Sequence, residues 1–148
     1  MATLYDAMKR NVQRLPNHEF LGTQQKEGNA AVYKWISFKD MATTAEMLSY
    51  GVMANELSPE IKFEDNPNTW RMMGIMSKNR KEWNMMNIAN FHQGITTVAL
   101  YDTLGADAMR FVCNQTELTS IACSNDCILK LAKMKTDDAQ MDDQKMGY

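Results

Sequence analysis

The stretch from Asn79 to Ala106, NRKEWNMMNIANFHQGITTVALYDTLGA, admits few folds. A charged opening (Arg80, Lys81, Glu82) leads into a helix-like segment that Gly94 stops. The apolar run Ile95 to Leu100 follows, and then the loop Tyr101-Asp102-Thr103-Leu104-Gly105. A helix delivering a buried strand is one crossover of an α/β sheet, since parallel strands need a long connection between them. Ligands of such sheets meet the carboxyl ends of the strands, which is where Asp102 and Thr103 fall.

The rest of the chain reads in keeping with that crossover. Thr3 to Leu15 is expected to be a helix with Leu4, Met8 and Val12 on one line, Thr3 as N-cap with Asp6 three residues on, and Pro16 as its stop. Glu19 to Gln25 and Ala30 to Ile36 read as two strands joined by the turn-type cluster Lys26-Glu27-Gly28-Asn29. Tyr33 and Trp35 share one face of the second strand, which suggests that this side is packed too. Ser37-Phe38-Lys39-Asp40 resembles a capping box for a helix over Phe38 to about Glu56, with the stripe Met41, Ala45, Leu48, Val52 and Leu57. Gly51 within it either weakens the helix or permits close packing.

Residues 58 to 68, with Pro59 and Pro67, read as a loop, and Trp70 to Ser77 as a buried strand. The helix from Asn79 to Gln93 is apolar nearly all round, with Trp83 as an expected buried anchor and Gly94 at the C′ position. After the strand and its loop, Ala106 to Thr116 should be a helix with Ala108, Phe111, Val112 and Leu118 as core contacts. A short strand, Thr119 to Cys123, and a helix over Asp126 to Met134 complete the pattern. The expected fold is α/β: an N-terminal helix and β-hairpin, then a βαβαβα parallel-sheet unit over residues 1–134, with residues 135–148 as an acidic, disordered tail.

Length and charge narrow the function. The 148 residues have room for one domain, and a net charge of −2 with mixed signs gives no nucleic-acid surface. The least charged window, Trp83 to Tyr101, carries too many amides to span a membrane, and the opening residues lack an apolar signal stretch. Three cysteines (Cys113, Cys123, Cys127) are expected as reduced thiols. With only two histidines, His18 and His92, no metal set stands out, and His92 is expected as a structural residue near a helix end. The 14 methionines read as pliable core filling.

Neither G-x-x-x-x-G-K-[ST] nor G-x-G-x-x-G nor G-x-S-x-G occurs. The Asp137-Asp138 and Asp142-Asp143 pairs read as a solvated tail rather than as acid/base machinery. Local chemistry singles out only Asp102 and Thr103, as weak loop candidates at a strand's carboxyl end. Asp102 has a plainer role open to it, capping the helix that starts near Ala106 or ordering its own loop.

Several stretches together resemble the long-chain fatty-acyl-CoA synthetases of the adenylate-forming, AMP-binding superfamily. They are Thr3-Leu4-Tyr5-Asp6, Phe20-Leu21-Gly22, Tyr33 to Phe38, Gly74-Ile75 followed by Asn79-Arg80-Lys81-Glu82-Trp83, and Leu100 to Ala106. The resemblance covers about Thr3 to Met134 and corresponds to the N-terminal part of the family's large domain. It implies ATP-dependent activation of a fatty acid to an acyl-adenylate and transfer to coenzyme A, with ATP, Mg2+ and CoA as cofactors. The family's phosphate loop and catalytic lysine come after the matched region, so the resemblance assigns no catalytic, cofactor-binding or metal-binding residue here. It also implies an intracellular location, in the cytoplasm or on the face of an intracellular membrane, with peripheral membrane association left open. The remainder of a ligase, or a second copy of the chain, is the expected partner for the apolar surface that these few elements leave uncovered.

Overall fold

The computed structural model describes the backbone of residues 3–101 and 103–145 and the side chains as far as Lys135. Helix α1 (Leu4–Arg14) starts at Thr3, whose hydroxyl accepts the Asp6 amide at 3.1 Å while the Asp6 carboxylate accepts the Thr3 amide at 2.9 Å. This is the reciprocal capping box that the sequence suggests. The helix is docked through Tyr5, Met8 and Val12, all half-buried, whereas Leu4 is 71% exposed and does not belong to the inner line.

Strands β1 (Glu19–Glu27) and β2 (Ala30–Ser37) form an antiparallel hairpin of their own. Gly28 takes φ +62°, the sign required at the first position of a type II′ turn, so the turn shrinks to Gly28-Asn29 and the strands run longer than the pattern suggests. The aromatic face is not covered: Tyr33 and Trp35 remain exposed, and they stack on each other at 5.9 Å. Trp35 instead lies over its cross-strand partner Gly22, filling the space where a Cβ would stand.

Helix α2 (Phe38–Ala54) begins with Ser37, whose hydroxyl accepts the Asp40 amide at 3.1 Å. Its buried line is Met41, Ala45, Ser49 and Val52, so the expected contacts Leu48 and Leu57 are corrected to exposed positions. Gly51 has open space beyond its Cα, which removes close packing as its reason. Gly51→Ala should therefore raise stability by about 0.5–1 kcal/mol through helix propensity, read as an upward shift in a thermal melt.

The expected loop at residues 58–68 contains a strand, β3 (Glu60–Lys62), antiparallel to the start of β4 (Thr69–Met76). Ile61 is buried there, and Arg71 clamps the turn by donating to the Ser58 carbonyl at 2.7 Å and pairing with Glu60 at 3.1 Å. β4 is the central strand. β5 (Thr96–Leu100) and β6 (Ile121–Cys123) both run parallel to it along Gly74–Met76, so they must flank it on opposite sides.

Helix α3 (Lys81–His92) makes the first crossover and ends as the sequence predicts. Gly94 takes φ +63°, the Ile95 amide bonds the Asn90 carbonyl at 2.9 Å, and the Gly94 amide bonds Phe91 at 3.4 Å. Those two bonds are the Schellman pattern, and they turn the chain directly into β5. Trp83 is half-buried, not the buried anchor expected.

Helix α4 (Ala106–Gln115) faces inward through Met109 and the half-buried Val112 and Cys113, while Ala108 and Phe111 are exposed. Half-buried Leu118 does pack inward, as expected. The final helix, α5, spans Asn125–Lys145 and so continues beyond the Met134 limit suggested by its apolar residues.

Residue alternation along β4 divides the core in two. Met73 and Ile75 join Met41, Ala45, Val52, Met85, Met86, Ile88, Ala89 and Ile95 on the side of α2 and α3. Met76 joins Leu100, Met109 and Cys127 on the side of α4 and α5. The sheet is thus covered by helices on both faces, as a parallel sheet requires. Met41, Met73, Met76, Met85, Met86 and Met109 are all buried, in keeping with the reading of methionine as core filler.

Candidate functional site

Parallel strands open their carboxyl ends into loops at one edge of the sheet, and here three loops converge. After β4 come Ser77, Lys78, Asn79 and Arg80; after β5, Tyr101 and Thr103; after β6, Ser124 and then α5 from Asn125. The hairpin closes over this edge, and an open cleft of about 580 Å³ lies between them. Leu21 and Gly22 form one wall, Asn79, Arg80 and Lys81 the other, with Trp83, Leu100 and Tyr101 at its apolar end.

Of the two residues proposed from sequence, Thr103 is exposed in the β5–α4 loop and does not line this cleft. Asp102 lies outside the described residues. The N-cap of α4 is Gly105, with no side-chain cap bond. The residues that do line the cleft come from the β4–α3 loop, the start of α3, the end of β5 with Tyr101, and the hairpin, none of which the sequence marks as a site apart from the loop that Tyr101 opens. The other advance signal was the charged run before Trp83.

The charges at this edge are largely paired. Arg80 Nε bonds Glu82 Oε2 at 2.7 Å, and this guanidinium holds the Glu82 carboxyl below its usual range. Lys78 approaches Asp126 at 3.8 Å, and the Ser124 hydroxyl is the main cause that keeps Asp126 below the ordinary carboxylate range. Both pairs are exposed, so they orient loops more than they stabilise them.

Nothing here resembles an activated nucleophile. The Cys123 thiol, at the end of β6, is raised by partial burial first and then by Cys127 and Asp126, which keeps it protonated at neutral pH. Ser77 donates to the Lys78 carbonyl at 3.0 Å, and Ser124 Oγ lies 3.5 Å from the buried Cys127 sulfur. Among the described residues no three His, Cys, Asp or Glu side chains come together as a metal set. His92 lies at the opposite end of α3, with its ring against Tyr5 at 4.7 Å.

The solved structures of similar fold are adenylate-forming enzyme domains. The chain superimposes on a fatty acid AMP ligase from Legionella pneumophila with a TM-score of 0.67 at 12% identity, over 86% of this chain and 20% of that one. It superimposes on the A domain of a carboxylic acid reductase from Segniliparus rugosus with a TM-score of 0.68 at 11% identity, over 89% and 22%. The Klebsiella oxytoca NpsA N-terminal subdomain matches with a TM-score of 0.63 at 14% identity, over 86% and 28%.

By sequence, the chain is similar to long-chain fatty acid–CoA ligases over most of its length. It is 32% identical over 119 residues to long-chain-fatty-acid–CoA ligase 1 of Cavia porcellus, covering 80% of this chain and 16% of the relative. It is 31% identical over 134 residues to fatty acyl-CoA synthetase A of Dictyostelium discoideum, covering 89% and 18%. The chain therefore spans less than a fifth of these relatives' length. No family model matches it. No helix among the described residues is long and apolar enough to cross a membrane.

Proposed function

We propose that this chain is the N-terminal portion of a long-chain fatty acid–CoA ligase and works inside the cell, in the cytoplasm or at an intracellular membrane face. Its part would be to frame one side of an enzyme that activates a fatty acid with ATP and passes the acyl group to CoA. The observation that carries this reading is sequence identity above 30% to such ligases along more than four-fifths of the chain. ATP, Mg2+ and CoA would be held chiefly by regions beyond the matched segment, since the chain has no Gly-rich phosphate loop of its own.

A second reading, a non-catalytic derivative kept as a binding or assembly subunit, draws on the apolar groove beside α2. Met47, Leu48, Leu57 and Ile121 line it and leave a surface of the kind that other proteins cover. Either reading expects association, with the rest of a ligase or with a second copy.

The test is direct. Purified chain with fatty acid, labelled ATP and magnesium should release no pyrophosphate above blank, and should sediment as more than a monomer or bind a dye for exposed apolar surface. Heat-sensitive pyrophosphate release that survives repurification would mean that a complete site is present. A monomer that binds no dye would remove the case for a partner. A transcript whose reading frame continues into S-G-T-T-G-x-P-K-G favours the ligase, and a genuine stop after Tyr148 with abundant short protein favours the derivative.

A further inference from the structure

The N-terminal helix is lightly seated, and a ring that changes charge near neutral pH forms part of its seat. No residue of α1 is buried. Met8 packs on the first cluster, and the Tyr5 ring meets the His92 ring at 4.7 Å with the planes at 65°. Lys9, also on α1, holds its ammonium 5.4 Å from the Tyr5 ring centre.

From α2, the groups facing this corner are Glu46 and Tyr50, and the Tyr50 hydroxyl donates to Glu46 Oε1 at 3.2 Å. One positive centre, Lys9, and one negative centre, Glu46, therefore flank a half-buried imidazole at the joint of three helices. We propose that His92 is an acid-sensitive seat for α1, and that protonating its ring releases this helix while the sheet and both core clusters remain folded.

The direction follows from proton linkage. Burial lowers the proton affinity of His92 and outweighs the opposite pull of Glu46, and Lys9 adds a lesser lowering. With α1 released, the ring regains water and its ordinary affinity. The released state then binds more protons than the seated one. Acidification through the ordinary histidine range therefore favours release, and the bias levels off once the ring is protonated in both states. Asp6, in the capping box, is held below the usual carboxylate range by the Thr3 amide and hydroxyl, so it stays ionised throughout that window.

Amide hydrogen exchange on the full chain tests this, with each rate corrected for the chemical effect of pH. Protection of the α1 amides should fall by about threefold or more between about pH 7.5 and about pH 5.5, with α2 and α3 unchanged. His92→Gln, which cannot take up the proton, should abolish that fall, and Lys9→Gln should shrink it slightly by removing the positive charge that opposes protonation. If His92→Gln unseats α1 already at the higher pH, His92→Phe, which keeps an aromatic partner for Tyr5, takes its place in the comparison. Protection of α1 that does not change with pH, or a fall of equal size in the variant that cannot protonate, overturns the proposal.

Discussion

Met76→Ala is expected to lower the stability of this chain by about 3–4 kcal/mol, a large share of what a domain this size has to lose. Met76 is fully buried on the central strand, where it joins Leu100, Met109 and Cys127 as the buried side chains of the second cluster among the described residues. The strand is fixed on both sides by β5 and β6, so the backbone cannot settle into the space left behind. Urea denaturation should show the midpoint falling at an unchanged slope. Leu129→Ala is the matched control. Leu129 is 82% exposed, and its loss should move the midpoint by no more than about 0.5 kcal/mol equivalent.

Gly74→Val should be the second severe change, at about 2–3 kcal/mol, for the opposite reason. A Cβ at Gly74 would stand 2.9 Å from Ile121 Cγ1 and 3.2 Å from Leu118 Cδ1, and valine adds two methyl groups beyond it. Ile121 belongs to β6, which this approach holds against β4 through the Gly74 register pair. The mechanism can be separated from a general loss by a double-mutant cycle. If crowding is the cause, Ile121→Ala should cost less in the Gly74→Val background than in the parent, because the clash leaves with the side chain. Strictly additive costs would show that Gly74 is needed for something other than room.

The sequence was most readable where local and tertiary demands agree. From β4 to β5 the apolar runs, Gly94 and the charged helix start all point the same way, and the crossover follows. The two caps at Thr3 and Ser37 are legible because an aspartate stands three residues after each, although only Asp6 closes the reciprocal box. Reading failed where burial is decided by a neighbour far along the chain. β3 has only Ile61 to show between two charged residues, and pairing with β4 is what makes it a strand. In α4, Phe111 looked like a core residue by size, yet the helix is rotated so that Met109 faces inward and Phe111 is 66% exposed. Exposed Leu48 and Leu57 follow the same logic, since they flank the groove that the described elements leave open.

The candidate site was less legible than the fold. The rule that ligands meet strand carboxyl ends points to the edge of the sheet where the cleft opens, but the candidate residues Asp102 and Thr103 come from a single loop. The cleft joins the segment from Ser77 to Asn84 and the end of β5 to a hairpin more than fifty residues earlier in the chain. Nothing in the spacing of Leu21 and Gly22 announces that they will face Trp83.

The alternation of β4 carries a consequence for how this chain can change over time. Met73 and Ile75 serve one core and Gly74 and Met76 the other, so neighbouring positions on this strand are strangers in packing terms. Substitution can adjust either core alone. A change of length cannot: one residue gained or lost inside Thr69–Met76 would send methionine and isoleucine into the slot shaped for glycine. Both cores would be miswritten by a single event. Drift in this segment is therefore confined to the identity of its residues, and variation in chain length is left to the turns, such as residues 63–68, that no sheet has to count.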